Sequence, residues 1–363
     1  MELQTKIYGN ALNQIVELGP ISLMRLFKYF SDFKSAWDAG AKDYASAGLS
    51  SKQISAVIAA KARLSPEHSW QQMERAKINM LVAGEKDYPS LLLETAAPPP
   101  ILYVRGDVKI LNRLALAVVG TRKMSLYGKR AAQEIVAGLV VNNISIVSGL
   151  AYGIDAEALI TTLNNQGRPI AVLASPIDNP SISPRVNYNL AQKIIESGCL
   201  VSEYPLGAAV QKQNFPIRNR IIAGLSAGTL VIEADIESGA LITAKYALDQ
   251  NRDVFAIPGS IFSPVSRGTN ELIKQGAKLV GSSFDIIEAL NLDAVAETAA
   301  TLSLEETEDE RFVIEYLSHE PTHIDDLIRR VNRQTGKVNA ILTVLEMKGR
   351  IKNLGGGNYV KLR

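Results

Sequence analysis

The first 80 positions carry apolar residues at helical spacing, Leu23, Leu26, Phe27 and Phe30 forming one stripe and Ile54, Val57 and Ile58 another. Residues 1–80 are therefore expected to be a small helical domain. Gly19-Pro20, opening the first stripe, gives it a helix-hairpin-helix or SAM-like cue. From Ala96 to Gly106 three consecutive prolines stiffen the chain and lead into a short strand. The period then changes. Strand-like runs appear at 114–119, 144–148, 170–174, 200–203, 229–233, 254–257 and 278–280, and several of the longer gaps between them carry a helical pattern. In Ala115 to Val119 every position is apolar, as a strand requires when both faces of a parallel sheet are covered. An α/β domain with a doubly wound, mostly parallel, Rossmann-like sheet is expected over 81–290, its lead-in included.

Residues 291–307 are rich in Ala, Thr and acids, lack a strong period and read as a linker. Beyond them 308–317, 323–330 and 335–348 read as three helices, and short strands flank Gly355-Gly356-Gly357 as a hairpin. Three helices closed by a hairpin is the order of a winged helix. That domain is expected over 308–363.

Hydrophobic residues make up 47% of the chain, ample for buried cores, and the formal charge is only +2. The chain as a whole announces no polyanion partner, so any nucleic-acid surface must come from local clustering. The C-terminal region is clustered. Residues 295–328 hold ten acids against Arg311, whereas 329–363 hold nine bases against Glu346. One cysteine, Cys199, excludes an intrachain disulfide framework. With no charged-then-apolar leader and no apolar run of membrane-spanning length, a cytoplasmic location and no membrane partner are expected. His68, His319 and His323 lack cysteine or carboxylate partners at metal-ligand spacing, so neither a metal nor a cofactor is expected.

The candidate chemistry concentrates between Asn214 and Ser226. Phe215 precedes a proline suited to the first turn of a helix, and Arg218 and Arg220 follow with no acid nearby in sequence. Free backbone N–H groups, guanidinium forks and a flat ring are the parts that hold a phosphate backbone and stack a base. In open α/β sheets ligands sit beyond the carboxyl ends of the strands. The loop after the first strand, Gly120-Thr121-Arg122-Lys123, is therefore expected to bind an anion, Gly120 allowing close backbone approach and Arg122 forking onto phosphate. Its glycine spacing fits neither the dinucleotide fingerprint nor the P-loop.

Ser148 and Gly149 end the next strand and are expected to add N–H groups to the same pocket. Asp155 behind them reads as a helix cap or as a positioner of basic groups. Glu233, Asp235 and Glu237 follow another strand, with no histidine, nucleophile or phosphate-loop lysine placed beside them, and read as helix caps and ion-pair partners. Arg267, on the same rim, reads either as a plain loop charge or as a phosphate contact.

Taken in order, Gly120-Thr-Arg, Ser148-Gly-Leu-Ala-x-Gly-Ile-Asp155, Ser202-Glu-Tyr-Pro, Phe215-Pro-x-Arg-Asn-Arg-Ile-Ile-Ala-Gly, Ser238-Gly-Ala-Leu-Ile-Thr243, Phe255-Ala-Ile-Pro-Gly259 and Gly268-Thr-Asn-x-Leu-Ile273 form one ordered set. It closely resembles the DNA-processing protein A family (DprA, also called Smf) over about 85–290. The resemblance implies a non-catalytic, single-stranded DNA-binding protein that protects incoming DNA during natural transformation and loads the RecA recombinase onto it. It also implies a homodimer formed through the Rossmann-like domain. Carried over by position, the DNA-contacting residues are Gly120, Thr121, Arg122, Ser148, Gly149, Phe215, Arg218, Asn219 and Arg220, followed by Lys245 and Arg267; Lys123 joins them on its own charge beside Arg122. Two departures stand out. Tyr152 occupies a position where the family often has arginine, and the loop 174–184 lacks the usual glycine-and-Tyr-Pro segment.

Two other readings stay open on sequence. A nucleotide N-ribohydrolase on a related Rossmann-like fold would use Glu233 as its acid, although the Pro-Gly-Gly that such enzymes show is absent before Gly228-Thr229. The winged helix, with Arg329, Arg330, Arg333 and Lys337, would meet either duplex DNA or a protein.

Overall fold

The apolar runs become the strands of one nine-stranded sheet in the computed structural model, which describes residues 2–291, 307–318, 320–331, 333, 335–347 and 350–361. The linker expected at 291–307 falls almost entirely outside the described residues, as does His319. The chain divides into two compact units, Met1–Leu290 and Asn291–Arg363.

In the first unit the strands are β1 (Asn79–Val82), β2 (Ile101–Gly106), β3 (Ala115–Val119), β4 (Ser145–Ser148), β5 (Pro169–Val172), β6 (Cys199–Ser202), β7 (Gly228–Val231), β8 (Asp253–Ala256) and β9 (Lys278–Leu279). Their spatial order is β1-β2-β6-β5-β4-β3-β7-β8-β9. From β6 through β9 every neighbouring pair is parallel, while β1 and β2 add an antiparallel edge. The chain travels outward from β3 through β4, β5 and β6, then returns to the other side of β3 as β7. This is the doubly wound arrangement expected, with its switch point at β3. All five residues of β3 are buried, which accounts for the unbroken apolar run.

Sequence periodicity carries helices to about residue 80, but Asn79–Val82 forms β1 and pairs with Val82↔Ile101 through Asn79↔Val104. Before it lie α1 (Leu3–Asn13), α2 (Pro20–Phe30), α3 (Phe33–Asp38), α4 (Ala41–Ser46), α5 (Ser51–Lys61) and α6 (Pro66–Arg75). Pro20 occupies the first turn of α2, where its missing N–H is no loss. Leu12, Leu23, Leu26 and Phe33 from these helices share one core with Val82, Ile101, Tyr103 and Leu200 of the sheet. The buried Tyr103 hydroxyl donates to Asn10 Oδ1 (3.0 Å) and accepts from Asn13 Nδ2 (3.1 Å), so the contact is pinned by polar groups as well as area.

The remaining helices of this unit are α7 (Ser90–Leu93), α8 (Leu126–Val141), α9 (Ile154–Asn164), α10 (Tyr188–Ser197), α11 (Asn214–Gly224), α12 (Gly239–Asp249), α13 (Arg267–Lys274) and α14 (Ser283–Ala289). Ile221, Ile222, Ala244 and Ala247 of α11 and α12 join Val119, Val147, Val172 and Val201 in a second core, opposite the N-terminal helices.

The second unit has α15 (Glu308–Glu315), β10 (Thr322–His323), α16 (Ile324–Val331), α17 (Thr335–Met347), β11 (Ile351–Gly355) and β12 (Asn358–Lys361). β10 pairs with β12, giving the hairpin a third strand, and Val313, Leu327, Leu342 and Ile351 close a core of its own. This is the winged helix. Among the described residues no helix is long and apolar enough to cross a membrane.

Candidate nucleic-acid interface

Beyond the carboxyl ends of β3, β4 and β7 lies a cleft of about 590 Å³, lined by Gly120, Arg122, Asp155, Lys212, Phe215 and Arg218 and, opposite them, by the start of α12. A second lobe of about 370 Å³ shares Arg122, Phe215 and Arg218 and extends over Tyr152, Ser183, Pro184 and Arg185. The positive end of the α12 dipole opens onto the first lobe through Gly239 and Ala240.

Arg218 forms the floor. It is only 5% exposed, its Nη1 donates to Gly149 O (2.8 Å) and to Val172 O, and its Nε donates to Asn219 Oδ1 (3.2 Å). Burial pulls the guanidinium down to about 10, with Asp155 opposing the shift, so it remains a cation at neutral pH. Asp155 lies under the same floor. Its carboxylate accepts from the backbone N–H groups of Gly149 (3.1 Å), Ala151 and Gly120. Burial raises its pKa, and Arg218 together with these three donors resists the rise. Gly149 has to be glycine because a Cβ there would meet Arg218 Nη2 and Asp155 Oδ2, each at 2.7 Å.

This geometry corrects one expectation. The N–H of Gly149 does not face an anion site, because the protein's own carboxylate already occupies the nest at the strand ends. Ser148 is likewise fully buried, with its hydroxyl donating to Val118 O (2.7 Å). At the start of α11 the preceding turn takes up the N–H groups of Asn214 and Phe215, which donate to Gln211 O and Lys212 O. What remains available in the cleft is side-chain charge, an aromatic face and the start of α12.

Arg122 is exposed, and its guanidinium carbon stands 6.0 Å from the centroid of the half-buried Phe215 ring, a cation–π pair between the two lobes. Thr121 holds the turn below it by donating its N–H to Glu233 O (2.7 Å) and accepting from Ile154 N–H (3.2 Å). Lys123 is exposed beside it. Asn219 donates to Gly239 O (3.2 Å), tying α11 to the mouth of α12.

Arg220 does not share this cleft. Two residues on from Arg218 it points to the opposite face of α11, pairs with the buried Glu203 and donates to Ala97 O (2.9 Å). An acid distant in sequence thus neutralises it. Lys245 is exposed on α12 but does not line the cleft, and Arg267 pairs with Asp235 (3.2 Å). Glu233, 1% exposed, accepts from the N–H (2.9 Å) and hydroxyl of Ser125 and fastens the start of α8. Sequence reasoning passed over Lys212 and Arg185. Lys212 sits just ahead of the aromatic at the start of α11, and that proximity was the available signal; Arg185 directly follows the loop 174–184 that lacks the family's motif.

The family description DNA recombination-mediator protein A matches residues 79–291, and that of the DprA winged helix domain matches 296–357. The chain is 38% identical to Protein Smf of Escherichia coli over 309 residues, covering 83% of this chain and 82% of that protein. An X-ray structure of DNA processing protein A from Streptococcus pneumoniae superposes with a TM-score of 0.69 at 32% identity, over 79% of this chain and 98% of that one. A solved structure of the Helicobacter pylori protein, described as showing a unique single-stranded DNA binding mode, is 30% identical with a TM-score of 0.54, over 60% of this chain and 97% of that one. The chain belongs to the DNA processing protein A (DprA/Smf) family of DNA recombination mediators.

Proposed function

We propose that the two-lobed cleft holds single-stranded DNA and that the protein acts by binding, without catalysis. One observation carries this reading: Arg122 and Lys212 line an open cleft without an acidic partner among the described residues, together with a half-exposed Phe215. Separate cations beside a ring suit a flexible strand whose phosphates are gripped and whose bases are splayed, each base stack being worth about 1–3 kcal/mol. Arg122, Lys212 and Phe215 are then the contacting side chains, with Lys123 at the rim. Arg218, Asn219, Gly120, Thr121, Ser148 and Gly149 build the wall, and Arg220, Lys245 and Arg267 act outside the cleft. The likeness to the Helicobacter pylori protein supports the choice of a single strand.

On the same reading, and from the family resemblance, the bound strand is protected during natural transformation or recombination in the cytoplasm and handed to RecA by a homodimer. The ribohydrolase alternative fares worse because Glu233 is committed to Ser125 under α8 and turned away from the cleft. A salt titration of binding to matched single-stranded and duplex oligonucleotides tests the proposal. Tighter single-strand binding, with log affinity falling linearly in log salt, is expected. Equal affinities, or release of free base from nucleoside monophosphates, would overturn it.

A further inference from the structure

The second lobe holds an aromatic side chain that the fold positions and does not use. Tyr152 is 50% exposed, and among the described residues its hydroxyl has no hydrogen-bond partner and its ring no aromatic or cationic neighbour. An idle ring on a mobile loop would carry little meaning, but this loop is fixed on every side. Asn187 Nδ2 donates to Leu150 O (2.9 Å) and Ala151 O (3.2 Å), Asp155 takes the N–H of Ala151, and Ile154 donates to Thr121 O. Gly153, at φ 75°, supplies the left-handed turn that presents the preceding side chain. The far end of the lobe is just as ordered. Arg185 stacks on Tyr188 at 4.1 Å and donates to Asn179 O (2.8 Å), with no acid among its partners.

Resting on the reading of the cleft as a single-strand site, we propose that this lobe is a second nucleobase subsite, in which Tyr152 stacks a base neighbouring the one at Phe215 and Arg185 meets the adjoining phosphate. The lobe's volume of about 370 Å³ lies within the range of small-ligand pockets, about 300–1,000 Å³. Its walls have the right chemistry. Pro184 and Ala174 give apolar contact, Ser183 adds a hydroxyl, and Arg122 lines both lobes. A tyrosine at position 152 offers this lobe a stacking face without a charge. The Tyr152 contact therefore depends on the base and little on salt, while Arg185 carries the salt dependence of the lobe.

The test compares an oligothymidine with an abasic strand of equal length, by fluorescence anisotropy on the full chain. Tyr152→Ala should weaken binding of oligothymidine about tenfold, within the range for one lost aromatic–base stack. It should leave the abasic strand and the salt slope unchanged, and Tyr152→Phe should bind as the parent does. Equal binding of oligothymidine by parent and Tyr152→Ala, or an equal loss on the abasic strand, overturns the subsite. Arg122→Ala, run beside it, keeps the two readings apart. If it is silent on both strands, the cleft assignment itself fails; if it weakens both while Tyr152→Ala is silent, only the second subsite is lost. A thermal melt confirms that each variant is folded.

Discussion

The α/β cleft and the winged helix both carry arginines and lysines that a sequence reading assigns to nucleic acid, yet the two regions treat that charge in opposite ways. In the cleft the acid is beneath the floor: Asp155 is spent on three backbone N–H groups and the buried Arg218, and the cations above it face open space. In the winged helix the acid is on the surface, among the cations. Asp309, in the first turn of α15, pairs with Arg333 and with Lys337 (2.7 Å), and Asp326 lies 3.8 Å from Arg329. The sequence-level excess of nine bases over one acid in 329–363 is thus partly cancelled in space by the acidic stretch that precedes it. What predicts a polyanion site is the charge left unmatched once the chain has folded.

The largest effect that tests this contrast belongs to Arg218. Arg218→Ala strips the buried carboxylate of Asp155 of its cation and leaves Gly149 O and Val172 O without their donor, which should cost about 3–5 kcal/mol of stability. Urea denaturation should show the loss, and an unchanged midpoint would mean that Arg218 does not hold the cleft together. Next comes Arg122→Ala, which removes charge from the surface alone. It should melt as the parent does, lose about tenfold in single-strand affinity at low salt, and show a log–log salt slope shallower by about 0.7. A variant that binds more weakly with an unchanged slope would show that Arg122 does not meet a phosphate.

Six of the seven expected strands of the parallel sheet were legible because burial on both faces leaves largely apolar runs, whereas the exposed β9 has no such cause, and each boundary of the seven falls within two residues of its expected place. β1 was not legible: four residues after a helix, paired antiparallel at an edge, have no period of their own. The site was legible as a list of positions and illegible as a geometry. Arg218 and Arg220 read as twin forks, but two positions on a helix are 200° apart, so one became the floor of the cleft and the other a partner for Glu203. The capture of Gly149 N–H by Asp155 depends on a carboxylate turning back six residues, which no spacing rule announces. Lys212 and Arg185 were overlooked because loops give no periodicity to read.

A smaller effect is expected from Asp309→Asn, which frees Arg333 and Lys337 without altering the shape of the winged helix. If that domain touches duplex DNA through these residues, releasing two cations should steepen the salt slope of duplex binding by the full chain by up to about 1.8. An unchanged slope would leave the winged helix as a protein-contact module.

The smallest effect concerns acid, where the two carboxylates differ in sign. The hydrogen bonds from Lys337 and Arg333 hold Asp309 below the usual carboxylate range. A group depressed in the folded state adds stability above its unfolded pKa and loses it as pH falls through the folded value. The Asp309 contribution should therefore be constant from pH 7 to about 4 and vanish below that. Asp155 behaves in reverse, because burial raises it: its proton is held more tightly in the folded state, so its contribution is greatest below the unfolded value and is lost as pH rises through the folded one. Hydrogen exchange corrected for intrinsic rates should show protection in 308–347 falling below pH 4 in the parent and less steeply in Asp309→Asn. Identical acid profiles in parent and variant would show that the surface clamp contributes nothing to the winged helix, and that its cations are free in solution.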